Sequence, residues 1–197
     1  MRIAAPKNCP GFILASASPR RKLLLRQAGY SFDIVVSDVD ESEYSADDST
    51  EFTKMLALAK AKDVAARCPD KLVLGADTVV DFNGQIIGKP DDAEDAEQIT
   101  RMLFSAPHKV ISGVAIVRQS DNVEIVKAAV TKVYPKKLTE QQIAEHIRKG
   151  DWKGKAGAYG IQETGDEFVE RIEGSYTNVI GLPMELVSEI FSSLSNR

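Results

Sequence analysis

Cysteine and histidine are scarce in this chain, whose 197 residues include only two of each. The cysteines, Cys9 and Cys68, form neither a CxxC pair nor a cysteine–histidine zinc pattern, which is typical of a protein in a reducing compartment. Apolar runs reach only about five residues, far short of a membrane span, and the first eight residues hold no apolar segment typical of a signal peptide. We therefore expect a cytoplasmic protein that does not associate with a membrane.

A strong net charge and internal repeats are also absent. The formal net charge is −4, which disfavours a broad nucleic-acid-binding surface and requires any basic site to be local. The hydrophobic fraction of 43% is enough to bury a substantial core. We expect a single domain over residues 11–197, preceded by a flexible N-terminal extension over residues 1–10.

The order of the predicted elements indicates an α/β fold built on a central mixed β-sheet, because helices alternate with strands early and hairpins sit among them. The Asn83-Gly84 pair, flanked by apolar residues, predicts a two-residue hairpin. We expect the strand before it to be interrupted at residues 75–78. The predicted strands cover residues 11–15, 32–36, 71–80, 110–117, 123–133 and 168–172, and the predicted helices cover 19–28, 50–68, 92–104, 139–149 and a last one from 183.

Residues 16–22 (SASPRRK) are the clearest candidate for an anion site. A short apolar strand leads into a turn of small residues, and a helix follows in which Ser18 can act as N-cap and Pro19 suits the first position. The free N–H groups of a helix start favour an anion. The cations in this first turn oppose the helix dipole, so a bound phosphate or carboxylate would explain them.

Asp77 is the strongest catalytic candidate. It follows the apolar run 72–74 and two small residues, and ligands of open α/β sheets bind at strand ends. An ionised carboxylate there could hold Mg²⁺ or orient a water molecule; the alternative is an aspartate that only shapes a turn. The acidic run that contains Asp40 and Glu41 offers oxygen ligands for a hard cation, or is a solvated loop.

Several basic residues have less specific surroundings. Lys60 lies on the long predicted helix, whereas Lys89 is held between a glycine and a proline. Lys155 opens a glycine-rich segment, residues 155–162 (KAGAYGIQ), in which backbone N–H groups could approach a phosphate or a base. Each could instead be an ordinary surface or loop residue. His108 precedes a strand and is expected to be structural, and no nucleophile elbow is present.

Six motifs in order resemble the Maf family of nucleoside triphosphate pyrophosphatases. They are residues 15–21 (ASASPRR), 75–78 (GADT), 88–90 (GKP), 108–113 (HKVISG), 155–162 (KAGAYGIQ) and 181–183 (GLP). The resemblance covers residues 12–194. It implies an α/β fold with a cleft between two lobes, as in the inosine triphosphatase-like proteins. It also implies hydrolysis of a nucleoside triphosphate to the monophosphate and pyrophosphate with a divalent cation, Mg²⁺ or Mn²⁺.

The resemblance also implies roles for residues that match the motifs. Asp77 matches the family's proton-accepting aspartate, and we expect it to hold the metal with help from Asp40 or Glu41. The residues matching polar or basic positions of the cleft, expected to bind phosphate, are Ser16, Arg21, Lys60, Lys89 and Lys155.

Three positions indicate which nucleotide is the substrate. The family branch that acts on dTTP and UTP resembles this chain at Arg20, Thr78 and Gln162, where the branch acting on 7-methyl-GTP typically carries Trp, Gln and Glu. A neutral amide at Gln162 offers a donor and an acceptor, which suits the imide edge of uracil or thymine. The chain departs from the family pattern at Ser112, where many members have threonine, and at Gly154, where an acid is common.

We therefore expect an enzyme that hydrolyses dTTP and UTP, or a modified uridine triphosphate. The alternatives are a 7-methyl-GTP or inosine-type triphosphatase, and a nucleotide-binding regulator of cell division or septum formation with little catalysis. A nucleoside triphosphate is the expected partner, nucleic acid and membrane are not, and a homodimer is one option for the oligomeric state.

Overall fold

The computed structural model describes residues 3–6, 9–161 and 168–195. It confirms the α/β class, since a mixed sheet of seven strands is flanked by helices. The strands are β1 Phe12–Leu14, β2 Phe32–Ile34, β3 Leu72–Phe82, β4 Gln85–Ile87, β5 His108–Arg118, β6 Val123–Pro135 and β7 Val169–Glu173. The helices are α1 Pro19–Gln27, α2 Ser49–Arg67, α3 Ala93–Leu103, α4 Glu140–Lys149, α5 Tyr176–Ile180 and α6 Met184–Ser195. Short 3₁₀ turns span Glu41–Glu43 and Ala156–Ala158.

The sheet has the strand order β2-β1-β3-β5-β6-β7, with β4 paired to β3. Strand β1 runs parallel to β2 and β3, while the pairs β3–β4, β3–β5, β5–β6 and β6–β7 are antiparallel. The hairpin prediction is confirmed: Asn83 and Gly84 both have positive φ, the conformation that a tight two-residue turn between β3 and β4 requires.

Strand β3 is continuous, so the expected interruption at residues 75–78 is wrong. Each of these residues pairs with β5, and Asp77 lies opposite Gly113 in the register. The small residues permit close packing instead of breaking the strand. A Cβ on Gly75 would lie 2.2 Å from the carbonyl oxygen of Ala57, and one on Gly113 would lie 2.2 Å from that of Thr53. The backbone of helix α2 therefore packs directly against the backbone of β3 and β5 on this face of the sheet.

The core is divided by the sheet. The smaller cluster lies between α2 and the sheet and includes Ala57, Ala61 and Val73. The larger cluster gathers apolar residues from the other helices and the other face of β3, among them Leu74 and Leu103. Because side chains alternate along a strand, Gly75 and Asp77 face α2, whereas Ala76 and Thr78 face the larger cluster.

Side-chain caps start the helices close to the predicted positions. Ser18 accepts a hydrogen bond from the backbone of Arg21, confirming its role as N-cap of α1. Thr139 forms a reciprocal capping box with Gln142 at the start of α4. Within the N-terminal extension, the amide of Ala5 donates to the carbonyl of Ala28 at 2.8 Å. The flexibility of residues 1–10 and the domain boundaries stay predictions.

The described helices include none long and apolar enough to cross a membrane.

Candidate active site

The candidate site lies where β1 ends and β3 continues. Pairing between these parallel strands stops at Leu14 and Leu74, and β4 joins β3 only from Val80 onward. Between these points, no strand of the described residues pairs with β3 on this side. The sequence placed Asp77 at the end of its own strand, whereas it lies in the middle of β3, beyond the carboxyl end of β1. That neighbouring strand end is where open α/β sheets bind ligands.

Asp77 is held by a lysine of α2. The ammonium of Lys60 donates to Asp77 Oδ1 at 2.7 Å, and both side chains are about 10% exposed. The second carboxylate oxygen, Oδ2, accepts no hydrogen bond from the described residues. The site thus contains a buried ion pair with one carboxylate oxygen left for a ligand or a water molecule.

The same ammonium binds a second carboxylate. Glu41 Oε1 lies 2.7 Å from Lys60 Nζ, so the acidic segment before α2 folds back over the site. Desolvation raises the pKa of Glu41, but the hydrogen bond and charge of Lys60 and the charges of Lys89 and Arg21 outweigh it and lower the pKa overall. Glu41 is therefore ionised at neutral pH and lies within the field of all three cations.

The two acidic candidates next to each other in sequence do different things. Asp40 caps the turn Glu41–Glu43 and accepts hydrogen bonds from the amide and hydroxyl of Ser42, which lower its pKa. Its carboxylate has no described contact with Asp77. Only Glu41 is brought to the ammonium that Asp77 binds.

Arg21 is fixed by hydrogen bonds to the protein. Its Nε donates to the carbonyl of Gly181 at 2.9 Å, and its Nη1 donates to Ala76 O at 2.8 Å and Ser16 Oγ at 3.1 Å. Its Nη2 donates to Thr78 Oγ1 at 3.2 Å. Burial lowers the pKa of this guanidinium, and the charge of Asp77 opposes that effect. The structure thus brings Ser16, Arg21 and Thr78 together at the open edge of β3.

The glycine-rich segment borders the site through backbone contacts. The amide of Gly157 donates to the carbonyl of Gly88, next to the exposed Lys89, at 3.0 Å. Lys155 is buried. On the other side, Arg20 Nη2 reaches the carbonyl of Gly154 at 3.5 Å, a long contact. The segments that carry Arg20, Lys89 and Lys155, which are far apart in the sequence, therefore meet near β3.

Two buried histidines hold the turn of this segment, in which Ala158 has a φ of 59°. His146 Nε2 donates to the carbonyl of Ala158 at 2.7 Å. His108 Nδ1 faces the carbonyl of Leu103, which can only accept, so Nε2 is the acceptor for the hydroxyl of Tyr159 at 2.7 Å. His108 is structural, as expected. The contributions of His146 and Tyr159 were missed, because no local pattern links them to the strand at His108.

Gln162, the third expected specificity residue, lies outside the described residues.

A buried carboxylate among several cations, at a strand end of an α/β sheet, is an arrangement typical of sites that bind charged ligands. Comparisons with known proteins identify the family. The family model for Maf-like protein matches residues 11–194. The chain belongs to the Maf family.

Three relatives are each named dTTP/UTP pyrophosphatase. That of Alkaliphilus metalliredigens is 45% identical over 90% of this chain and 93% of its own length. That of Citrifermentans bemidjiense is 42% identical over 87% of this chain and 89% of its own length. That of Bdellovibrio bacteriovorus is 42% identical over 93% of this chain and 98% of its own length.

Proposed function

We propose that this protein is a pyrophosphatase that hydrolyses dTTP and UTP to the monophosphate and pyrophosphate. The names of its relatives support this activity. The observation that carries it is the buried Asp77 carboxylate, which shares the ammonium of Lys60 with Glu41 and whose charge acts on the guanidinium of Arg21. A triphosphate brings negative charge, and this group of cations can compensate it.

Asp77 acts as the base that orients and deprotonates the attacking water. Lys60 fixes the carboxylate through Oδ1 and leaves Oδ2 to accept the proton. The water oxygen bonds to the α-phosphorus as the bond to the α–β bridging oxygen breaks, and pyrophosphate leaves with the bonding electrons. No protein nucleophile is needed, and charge stabilisation with positioning supplies the acceleration.

A divalent cation fits the carboxylates of the site. Mg²⁺ in nucleotide sites is usually held by one or two carboxylates together with phosphate oxygens. Asp77 and Glu41 both bind the ammonium of Lys60 through one oxygen each, and their carboxylate oxygens that Lys60 does not bind would hold the cation. When bound, the cation would neutralise charge on the phosphates and polarise them. The described residues contain no group of three or more histidine, cysteine or acidic side chains that could hold a metal by themselves.

The remaining cations are assigned to the phosphates. Lys89 is exposed beside the site, and its charge acts on Glu41. Lys155 lies at the start of the glycine-rich turn, and Ser16 accepts a hydrogen bond from Arg21. Both are also assigned to the phosphates. Arg20 and Gln162 are assigned to the base. A cytoplasmic location and a homodimer stay predictions.

The test is a panel of nucleotides scored by release of pyrophosphate and identity of the monophosphate. With Mg²⁺ or Mn²⁺ present, kcat/KM for dTTP and UTP should exceed that for CTP, ATP and GTP by at least about tenfold, a free-energy difference of ~1.4 kcal/mol. Preference for 7-methyl-GTP or inosine triphosphate would contradict the assignment. Tight nucleotide binding without product would favour the regulator.

Hydrolysis in ¹⁸O-labelled water tests the position of attack. We expect the label in the nucleoside monophosphate, because water adds to the α-phosphorus. Label in the pyrophosphate would instead show attack at the β-phosphorus and would contradict the mechanism.

A further inference from the structure

We propose that Thr78 and Ser112 are positioning residues for Arg21, and that Thr78 affects catalysis by holding this guanidinium without touching the base. The proposal rests on the function proposed above and changes the role that the resemblance assigns to Thr78. It follows from the hydrogen bonds available to two neighbouring hydroxyls.

The two hydroxyls are neighbours across the sheet. Thr78 of β3 pairs with Ser112 of β5 in the strand register, so both side chains leave the same face. Their oxygen atoms lie 2.7 Å apart, and Ser112 is fully buried. The site on the opposite face of β3, around Asp77, therefore has a polar counterpart one residue along the strand.

The hydrogen bonds of Thr78 can be assigned from chemistry. Its Oγ1 lies 3.1 Å from the carbonyl of Gly181, which can only accept, so Thr78 donates its single proton there. Ser112 must then donate to Thr78, and Arg21 Nη2 donates to it as well. One donated and two accepted hydrogen bonds complete the capacity of a hydroxyl. Thr78 has none left for a base.

Arg21 is fixed in the same network. A guanidinium has five N–H donors in a rigid plane, and four are used by Gly181, Ser16, Ala76 and Thr78. The fifth N–H, on Nη2, donates to none of the described residues. It is therefore the one available to a phosphate oxygen. Thr78 binds the other N–H of the same nitrogen. The hydroxyl of Thr78 therefore helps to fix the direction in which that N–H points.

The network also joins three parts of the fold. Thr78 belongs to β3, Ser112 to β5, and Gly181 follows α5. Asn178 of α5 is fully buried and donates to the carbonyl of Val110 at 2.9 Å, which ties this helix to β5. Arg21 of α1 is thus oriented against a framework anchored on the central strands.

Kinetics of matched variants tests the proposal. Thr78→Val and Ser112→Ala remove one hydroxyl each, while Thr78→Ser and Ser112→Thr keep it. We expect each hydroxyl deletion to lower kcat/KM for UTP, dTTP and CTP alike, by ~10- to ~100-fold, as for loss of a hydrogen bond to a charged group. The ratio of kcat/KM for UTP to kcat/KM for CTP should stay within about twofold of the wild-type ratio. The kcat/KM values of Thr78→Ser and Ser112→Thr should stay within about threefold of wild type.

A double-mutant cycle provides the second readout. If Thr78 acts through Arg21, adding Thr78→Val to Arg21→Lys should change kcat/KM by less than about threefold, because the guanidinium it orients is already gone. Multiplicative effects in this cycle would overturn the proposal. So would a changed ratio of UTP to CTP in Thr78→Val with Ser112→Ala near wild type, since that pattern means direct contact with the base.

Failure of the proposed function would look different, because wild type itself would then release no pyrophosphate from UTP or dTTP. In that case the dissociation constant of UTP, measured by calorimetry on the same variants, decides the inference. Parallel weakening in Thr78→Val and Ser112→Ala supports it, and weakening in Thr78→Val alone overturns it.

Discussion

At the scale of single residues, the site depends on Lys60, whose ammonium binds Asp77 and Glu41 from within the fold. Removing one partner of a buried ion pair leaves an uncompensated charge, which costs more than removing both. The two carboxylates differ in this respect, since the side chain of Asp77 is 10% exposed and that of Glu41 is 57% exposed. The loss of stability on removal of Lys60 should therefore come mainly from the unpaired carboxylate of Asp77.

We predict that Lys60→Met lowers the free energy of unfolding by about 3 kcal/mol, the loss expected when a buried pair loses one member. The double variant Lys60→Met/Asp77→Asn should recover part of this loss, because the unpaired carboxylate is gone. Urea unfolding of wild type, Lys60→Met, Asp77→Asn and the double variant measures the coupling, with Lys62→Met on the exposed face of α2 as a matched control. Additive losses in the double variant would contradict the account.

His108 gives the fold a dependence on pH. Desolvation lowers the pKa of this imidazole from 6.5 to about 4. The unfolded chain therefore binds a proton that the folded protein excludes between these values. The stability contributed by neutral His108 is fully present above pH 6.5 and is lost as the pH falls towards 4.

We predict that His108→Gln, which cannot titrate, has a flatter stability profile than wild type. Between pH 7.5 and pH 5 the difference in unfolding free energy between the two proteins should shrink by about 2 kcal/mol. Denaturant titrations at both pH values measure it. If the difference is the same at pH 7.5 and pH 5, His108 is not the group responsible.

At the scale of elements, the contact between α2 and the sheet sets the position of Lys60 relative to Asp77. Gly75 makes it possible, because its missing Cβ would meet backbone atoms of Ala57 and Ala61 at 2.2 and 2.8 Å. Backbone atoms cannot move aside by a change of rotamer. A methyl group at this position must therefore displace the helix.

We predict that Gly75→Ala lowers the unfolding free energy by at least about 2 kcal/mol and also lowers kcat/KM, since displacement of α2 moves Lys60. Gly11→Ala is the matched control, because a Cβ at that position would meet no atom within 4 Å, and we expect it to be nearly neutral. Thermal unfolding and pyrophosphate release measure both effects. Equal behaviour of the two variants would refute the packing argument.

Local sequence signals explain which elements were predictable. The hairpin at Asn83-Gly84 and the N-cap at Ser18 are encoded by residues close together in the sequence, and the structure confirms both predictions. The continuity of β3 was not predictable in this way. A glycine in this sequence context predicts a strand break. Only the close approach of α2 in the structure shows that Gly75 is needed for packing.

At the scale of the whole molecule, the sequence predicted the mixed sheet but not the contacts that build the site. The sequence indicated Asp77 and Lys60 as candidates, yet the sharing of Lys60 with Glu41 depends on how the segment before α2 folds back. The bond between His108 and Tyr159 joins residues 51 positions apart. Such pairings depend on the path of the chain and have no periodic or local signature.

Binding of a nucleotide should stabilise the whole molecule by mass action. We predict that UTP at 100 times its dissociation constant raises the unfolding free energy of Asp77→Asn by about 2.7 kcal/mol, a shift of roughly 5–10 °C in Tm for a domain of this size. CTP at the same concentration should shift the Tm less. Differential scanning fluorimetry measures both, and equal shifts would contradict selection of the base at the binding step.

The central claim is that Asp77 activates the water that attacks the triphosphate. The most direct measurement is the rate of pyrophosphate release from UTP by Asp77→Asn, with circular dichroism and Tm confirming that the variant folds. Because the amide cannot accept the proton, we predict a kcat at least ~100-fold below that of wild type. A folded variant that releases pyrophosphate at a rate close to that of wild type would contradict the account.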